Sequence, residues 1–445
     1  MAFYLGIDFG TSGARAIAID AGAEIQTIAH YPLDTQTPES WQTALFDLLE
    51  QIPVEIRREM KAIAIDGTSS TVLLCDRTGT PVAETILYND ARGSSVMDSL
   101  QTIAPPNHPA ISATSSLAKL LWYARHDRIH HSAFHRVSTT GLFFLHQADW
   151  LSFLLHGQIG ISDYHNALKL GYDPQVGFYP SWLLEGIAPL FQKVLPYLPH
   201  IVKPGSRIGE VTAEMGDRFE LPPECYVCAG TTDSIAAFLA SGAREPGEAV
   251  TSLGSTLVLK LLSRDRVDDA RYGIYSHRLD PPALPARQGT LWLTGGASNT
   301  GGAVLRQFFT DTELTELSAQ INPDRESPLQ YYPLIFPGDR FPINNPNLPP
   351  RLDPRPDTPA EFLHGLLESI ARIEARGYQL LQELGATTLK QVYTAGGGAK
   401  NPTWTAIRQR YLRVNVATSA NTEAAYGTAL LALKSDPQVR DPLSR

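Results

Sequence analysis

Cysteine is scarce here: the 445 residues hold only Cys75, Cys225 and Cys228. Three thiols cannot make a disulfide scaffold, and such usage suits a reducing compartment. Cys225-Tyr226-Val227-Cys228 has the spacing of a redox pair. It leads into an apolar strand, however, with no second pair and no helix start between the thiols, so neither redox nor metal chemistry is expected of it. The 12 histidines show no metal-ligand spacing, and His130-His131 reads as a polar surface pair. Long apolar runs are also missing; none approaches the roughly 20 residues that span a bilayer. Met1 to Phe3 run into an apolar strand without a basic leader, so no signal peptide is expected. There is no cationic surplus: 37 Lys and Arg stand against 46 Asp and Glu, a net charge of −9. That balance excludes a general affinity for nucleic acid or anionic membrane. Any phosphate site must be local, built from backbone amides with or without a metal. These absences describe a soluble cytoplasmic protein.

What is present is an ordinary globular composition, 43% apolar and 19% charged, in a chain long enough for at least two hydrophobic cores. Tyr4 to Asp8 and Ala14 to Ile19, around Gly10-Thr11-Ser12-Gly13, read as a hairpin. A second hairpin is expected from Ala62–Asp66 through Gly67-Thr68-Ser69-Ser70 to Val72–Cys75, with Asp76-Arg77-Thr78-Gly79 as the next turn. Trp41–Leu49, Leu117–Tyr123 and Leu142–Leu155 carry helical spacing. Val227–Gly230 reads as a buried strand and Asp233–Ser241 as the helix after it. The pattern breaks at Gly242-Ala243-Arg244-Glu245-Pro246-Gly247, which sets a boundary between domains 1–243 and 244–445. A strand, a turn and a strand then recur as Glu248–Leu253, Gly254-Ser255-Thr256 and Leu257–Leu262, a hint that both domains share one plan. A proline-rich irregular loop over 328–359 ends at Thr358-Pro359-Ala360-Glu361, which has the form of a capping box with proline at the first helical position. Leu363, Leu366, Leu367, Ile370 and Ile373 mark the buried face of that helix. Gln391–Ala395 reads as a strand, Asn401-Pro402 as a helix start, and Ala424–Leu433 as a final Ala-rich helix.

Four turns have chemical potential. In Asp8-Phe9-Gly10-Thr11 the amides of a tight turn form an anion-binding nest, and Asp8 suits a water of Mg²⁺, which prefers carboxylate and phosphate partners; the plain alternative is a hairpin with an Asp at a strand end. Gly254-Ser255-Thr256 offers similar amides and hydroxyls, though alone it is a common turn. Gly396-Gly397-Gly398 lets a flat ligand lie against the backbone, yet it fits neither the Walker loop nor the dinucleotide glycine frame. Gly230-Thr231-Thr232-Asp233 puts an Asp at a helix start, where the dipole keeps it ionised and fit to act as a base; an N-cap is the plain alternative.

In this order the turns resemble the FGGY family of carbohydrate kinases over nearly the whole chain. Asp8-Phe9-Gly10-Thr11 with Arg15 is similar to the first phosphate motif. Leu87-Tyr88-Asn89-Asp90-Ala91-Arg92 resembles the Trp-x-Asp-x-Arg segment, with Tyr88 for Trp. Lys119-Leu120-Leu121-Trp122, and Asp163 with Asn166-Ala167, fall where the family has similar residues. Gly230 to Asp233 resembles the catalytic motif, Gly254 to Thr256 the second phosphate motif, and the glycine run with Asn401 the adenosine motif.

The resemblance implies an α/β fold of two ribonuclease H-like, actin-like ATPase domains with the active site in the cleft between them, and implies ATP and Mg²⁺. Asp233 would take the proton of a sugar hydroxyl, and Asp8 would position Mg²⁺ through water. Gly10, Thr11, Ser12, Arg15, Gly254, Ser255 and Thr256 would hold phosphate. Gly296 and Ala297 would line the nucleotide side, and Gly397, Gly398, Asn401 and Trp404 would hold adenosine. Ser69 and Ser70 stand where xylulose kinases have Met-His and glycerol kinases Arg-Glu, a pattern closer to ribulose kinases. The implied substrate is a ketopentose, D-ribulose ahead of D-xylulose, with a glycerol or polyol kinase and an actin-like ATP-binding scaffold as alternatives. The implied assembly is a monomer or homodimer.

Overall fold

The computed structural model describes residues 1–126, 141–191, 195–280 and 289–439; the His130-His131 pair lies outside them. The chain forms two compact units. The first is Met1–Ala240 with Asp280–Arg287 and Glu423–Arg445, and the second is Ser241–Leu279 with Gln288–Thr422. The domain division thus differs from 1–243 and 244–445, because the final helix, Ala424–Lys434, packs on the sheet of the first unit.

In the first unit the strands are β1 (Phe3–Phe9), β2 (Gly13–Asp20), β3 (Ile25–Pro32), β4 (Met60–Gly67), β5 (Val72–Cys75), β6 (Phe143–His146), β7 (Ile161–Asp163), β8 (His200–Val202), β9 (Arg207–Glu210) and β10 (Tyr226–Thr232). Six make one sheet in the order β3-β2-β1-β4-β10-β9. The β1–β2 and β2–β3 pairs are antiparallel, while β4 lies parallel to both β1 and β10. Alternation on β1 decides what covers each face. Phe3, Leu5, Ile7 and Phe9 point to one core with Trp41, Leu45 and Leu48 of the helix Pro38–Gln51. Tyr4 points the other way, to Ala425, Ala429, Leu430 and Leu433 of the final helix. Gly6 belongs to this second face, where a Cβ would lie 2.1 Å from the Ala425 carbonyl oxygen and the Ala429 nitrogen. The helix rests directly on the strand's backbone, and its run of alanines permits that approach.

The expected hairpin over Ala62–Cys75 does not form. β4 is instead a central parallel strand, and β5 leaves the sheet to pair with β6. The chain changes direction at Ser70, which adopts the left-handed conformation (φ 68°). Leu142–Leu155 is not one helix either: β6 is followed by the helix Gln147–His156, started by a reciprocal cap between His146 and Asp149.

The second unit holds β11 (Glu248–Leu253), β12 (Leu257–Ser263), β13 (Tyr275–Leu279), β14 (Leu291–Ser298), β15 (Gln391–Ala395) and β16 (Asn415–Thr418), in the order β13-β14-β12-β11-β15-β16. Its run β14-β12-β11-β15-β16 repeats the pairing senses of β3-β2-β1-β4-β10: two antiparallel pairs, then two parallel ones. The helix Pro359–Glu383 buries Leu363, Leu366, Leu367, Ile370 and Ile373 as its periodicity predicts. Its start differs in detail: the Thr358 hydroxyl donates to the Glu361 carboxylate (2.8 Å) rather than capping a backbone amide. Inside this core Arg408 donates to both oxygens of Glu374 (2.6 and 2.7 Å), and Glu374 also accepts from Thr251 (2.6 Å).

Candidate functional site

The carboxyl ends of three parallel strands in the first unit come together, the usual place for a ligand on an α/β sheet. Register places Asp8 of β1 opposite Asp66 of β4, and Asp66 opposite Thr231 of β10. Two residues beyond Thr231, Asp233 opens the helix Asp233–Ala240, its carboxylate accepting from the Ser234 amide (2.7 Å). Three carboxyl groups therefore lie together. Asp8 is raised to about 6: burial and the Asp233 charge push it up, while its hydrogen bond with Asp66 and the Arg15 charge act the other way. Asp66 is pushed well above the carboxylate range, first by burial and then by the Asp8 charge. Its Oδ2 accepts from the Thr428 hydroxyl of the final helix, and its buried Oδ1 has no partner among the described residues.

Asp66 was not singled out by motif. One signal was available: Ile7-Asp8-Phe9-Gly10-Thr11-Ser12 and Ile65-Asp66-Gly67-Thr68-Ser69 each end an apolar strand on Asp before glycine and hydroxyl residues. Among the described residues no group of three or more His, Cys, Asp or Glu side chains converges to ligate a metal directly. The acidic cluster and the orphan Asp66 Oδ1 instead suit Mg²⁺ held through its own waters.

The turn Gly10–Gly13, expected to hold phosphate, is built differently from expectation in two respects. The Gly10 amide closes the turn on the Gly13 carbonyl (3.0 Å), and Gln36 donates to the Thr11 carbonyl (2.7 Å), leaving Thr11 and Ser12 as the exposed pair. Arg15 is ion-paired with Glu423 and donates to His30 (2.8 Å). Its guanidinium is thus already engaged within the first unit.

Gly67–Thr71 follows β4 and is braced from several sides. Gln147 Oε1 accepts from the Thr68 amide (3.0 Å) and hydroxyl (2.9 Å), and Thr71 Oγ1 accepts from the Tyr88 amide (2.9 Å). Ser69 is half-buried; Ser70 is buried, with no partner for its Oγ among the described residues. Asp163, Asn166 and His165 buttress the strand before Asp233. Asp163 caps its own short helix and accepts from Asn166 Nδ2 (2.6 Å), which also donates to the Thr231 carbonyl (3.3 Å), while His165 bonds the Thr231 hydroxyl (2.7 Å).

The second unit carries a cavity of about 650 Å³ lined by Gly254, Gly302, Arg306, Gly397, Gly398, Asn401 and Trp404, among others. Three glycine stretches make it. The carbonyls of Gly254 and Ser255 accept from the amides of Gly302 (2.9 Å) and Ala303 (3.1 Å). Gly396 (φ 85°) passes so close to β11 that a Cβ would meet the Leu253 carbonyl oxygen at 2.8 Å. Asn401 Oδ1 caps the next helix through the Trp404 amide (3.0 Å), and its Nδ2 donates to Ser318 (2.8 Å). Trp404 is only 2% exposed, so its ring is mainly core and meets the cavity at its edge. Gly296 and Ala297 do not line this cavity: Gly296 sits under the Phe341 ring, and Ala297 pairs with Val258. Gly302 and Arg306 do line it; they lie in an ordinary helix start, which carried no sequence signal.

The Cys225 and Cys228 thiols are buried, and burial pushes both above their ordinary range, consistent with inert packing. No helix among the described residues is long and apolar enough to cross a membrane.

Residues 3–240 match the N-terminal domain of the FGGY family of carbohydrate kinases, and residues 249–435 match its C-terminal domain. A xylulose kinase of Lactococcus lactis is 25% identical over 423 residues, covering 90% of this chain and 81% of that protein. One from Staphylococcus xylosus is 20% identical, covering 97% and 90%. Among solved structures, a kinase from Brucella ovis described as a xyloylose kinase superposes with TM-score 0.82 at 22% identity, over 99% of this chain and 92% of that one. A Plasmodium falciparum glycerol kinase with ADP reaches 0.77 at 17% identity, over 97% and 89%. With both halves of the family matched in order and both sheets built on one plan, the chain belongs to the FGGY family of ATP-dependent carbohydrate kinases.

Proposed function

We propose that this kinase transfers the γ-phosphoryl group of ATP to a hydroxyl of a ketopentose, D-ribulose ahead of D-xylulose, giving D-ribulose 5-phosphate. The observation that carries the choice is the buried Ser70 Oγ, unpartnered in a braced turn. A buried hydroxyl without a partner is costly, and a sugar hydroxyl supplies one. Two short hydroxyl side chains at 69 and 70 also leave room for a sugar. D-xylulose remains the second reading because the curated relatives bear the name xylulose kinase.

In this reading Asp233 accepts the proton of the attacking hydroxyl. The new O–P bond forms as the bond from the γ-phosphorus to the bridging oxygen breaks, and ADP leaves. Mg²⁺, held through water by Asp8 beside Asp66, would neutralise phosphate charge. The Thr11–Ser12 and Gly254–Thr256 turns contribute amides and hydroxyls to the phosphates. Adenosine is assigned to the cavity of Gly397, Gly398, Asn401 and Trp404, where glycines let a flat ring approach the backbone. A coupled ADP-release assay with D-ribulose, D-xylulose, ribitol and glycerol tests the proposal. The highest kcat/KM is expected with D-ribulose; a preference for D-xylulose or glycerol would overturn the substrate assignment.

A further inference from the structure

Lys119 is completely buried in the helix Ser116–His126, and among the described residues its ammonium is bonded to carbonyl oxygens alone. Nζ donates to Ser70 at 2.7 Å, to Leu87 at 2.7 Å and to Tyr88 at 3.4 Å. These carbonyls come from two irregular segments, the turn after β4 and the stretch Leu87–Tyr88; the Leu87 carbonyl also accepts from the Asp90 amide (3.1 Å). An ammonium carries three donors, matching the three acceptors. Burial pushes the Lys119 ammonium down to about 7, and the Asp90 charge offsets this only in part, so a role in tertiary packing alone would be met more cheaply by an apolar side chain.

The position of the staple matters. One of its three acceptors is Ser70 itself, held in the left-handed conformation that a serine adopts only under constraint. The staple fixes the carbonyl of the same residue whose buried Oγ has no partner. A second tie, from the Tyr88 amide to Thr71 Oγ1 (2.9 Å), joins the same two segments beside it.

We propose that Lys119 is the positioning residue of the acceptor pocket: by tying Ser70 to Leu87 and Tyr88, it holds the Gly67–Thr71 turn in the shape that presents Ser70 Oγ to a substrate hydroxyl. This rests on the assignment of Ser70 to the sugar. It predicts that sugar selectivity depends on a lysine that touches no sugar.

The test uses the full-length enzyme and whichever acceptor of the panel it turns over best. Lys119→Met keeps the apolar stem and removes all three donors. The expected result is a rise of about tenfold or more in KM for the sugar, while KM for ATP moves less than twofold. Ser70→Ala should raise KM for the same sugar, and the double variant should be no worse than the poorer single one, since both act through one hydroxyl. If Lys119→Met does not fold, Lys119→Arg replaces it, with the same rise expected because a planar guanidinium cannot reproduce three converging bonds. An unchanged sugar KM in the folded variant, a parallel loss for ATP and sugar, or full additivity with Ser70→Ala would each overturn the inference. If the wild-type enzyme turns over no acceptor, the substrate assignment falls and this inference with it. A variant effect confined to ATP would overturn this inference alone.

Discussion

At the scale of single residues, the acidic cluster links pH to both stability and turnover, with opposite signs. Burial raises Asp8 from 3.8 to about 6 in the folded chain. Between those values the folded state holds more protons than the unfolded one, so this group costs stability as pH rises, and the cost is complete above about 6. If Asp8 holds Mg²⁺ as proposed, turnover needs its ionised carboxylate, and kcat/KM should fall as pH drops through about 6, which a pH–rate profile reads directly. Magnesium favours the ionised cluster and should raise Tm at pH 7 more than at pH 5, measurable by thermal unfolding with and without the metal. Asp233→Ala should cost about 10²- to 10⁴-fold in sugar-dependent turnover with little loss of Tm, because it also removes a charge that repels Asp8 and Asp66. A variant retaining full turnover would remove Asp233 from the role of base. In the second unit, a Cβ on Gly254 would meet nothing within 4 Å, although the residue lines the cavity. Gly254→Val should therefore fold normally and raise KM for ATP by about tenfold or more, the cost of filling space a ligand uses.

At the scale of elements, the final helix Ala424–Lys434 governs the integrity of the first unit. It lies against β1 at Gly6, meets the helix Asp233–Ala240 at Gly427, and anchors Asp66 through Thr428. A Cβ at Gly427 would come within 1.9 Å of the Ala236 carbonyl oxygen. Gly427→Val should cost about 1–3 kcal/mol or more in chemical denaturation. A chain ending at residue 243 should lack native circular dichroism and amide protection, because one face of its sheet has lost its cover. This dependence was not readable from sequence order. An Ala-rich final helix is legible in its composition, but which sheet it covers is a long-range choice. The same limit explains the misread hairpin. Ala62–Asp66 and Val72–Cys75 look like partners across a polar turn, and only the register with β1 and β10 shows β4 to be a central parallel strand. By contrast, the turns at Asp8, Asp233, Gly254 and Gly397 were legible because each needs glycine or a helix start at a fixed place. Asp66 was not, since an Asp at a strand end is ordinary until its surroundings are known; the Lys119 segment was marked by the resemblance, but the role of its lysine depends on the carbonyls that surround it.

At the scale of the whole molecule, the net charge of −9 leaves the proposed phosphate site to local groups, the turn amides and hydroxyls with Arg306 and Lys400 in the cavity lining. No bulk positive field gathers ATP, so ionic strength has little long-range steering to screen. KM for ATP at fixed free Mg²⁺ should change less than about twofold between 50 and 200 mM salt; a steep dependence would point to a cationic surface instead. The path of the chain adds a constraint of a different kind. The strands that carry Asp8 and Asp66 and lead into Asp233 are made before the second unit, but the helix that closes over their sheet is made after it. The second unit, whose described strands run from Glu248 to Thr418, can collapse as it emerges. The first must wait with an apolar face open until the second unit has been made. Nascent chains should therefore need shelter on that face, and a stop codon just before Ala424 should abolish the enzyme as surely as one far upstream.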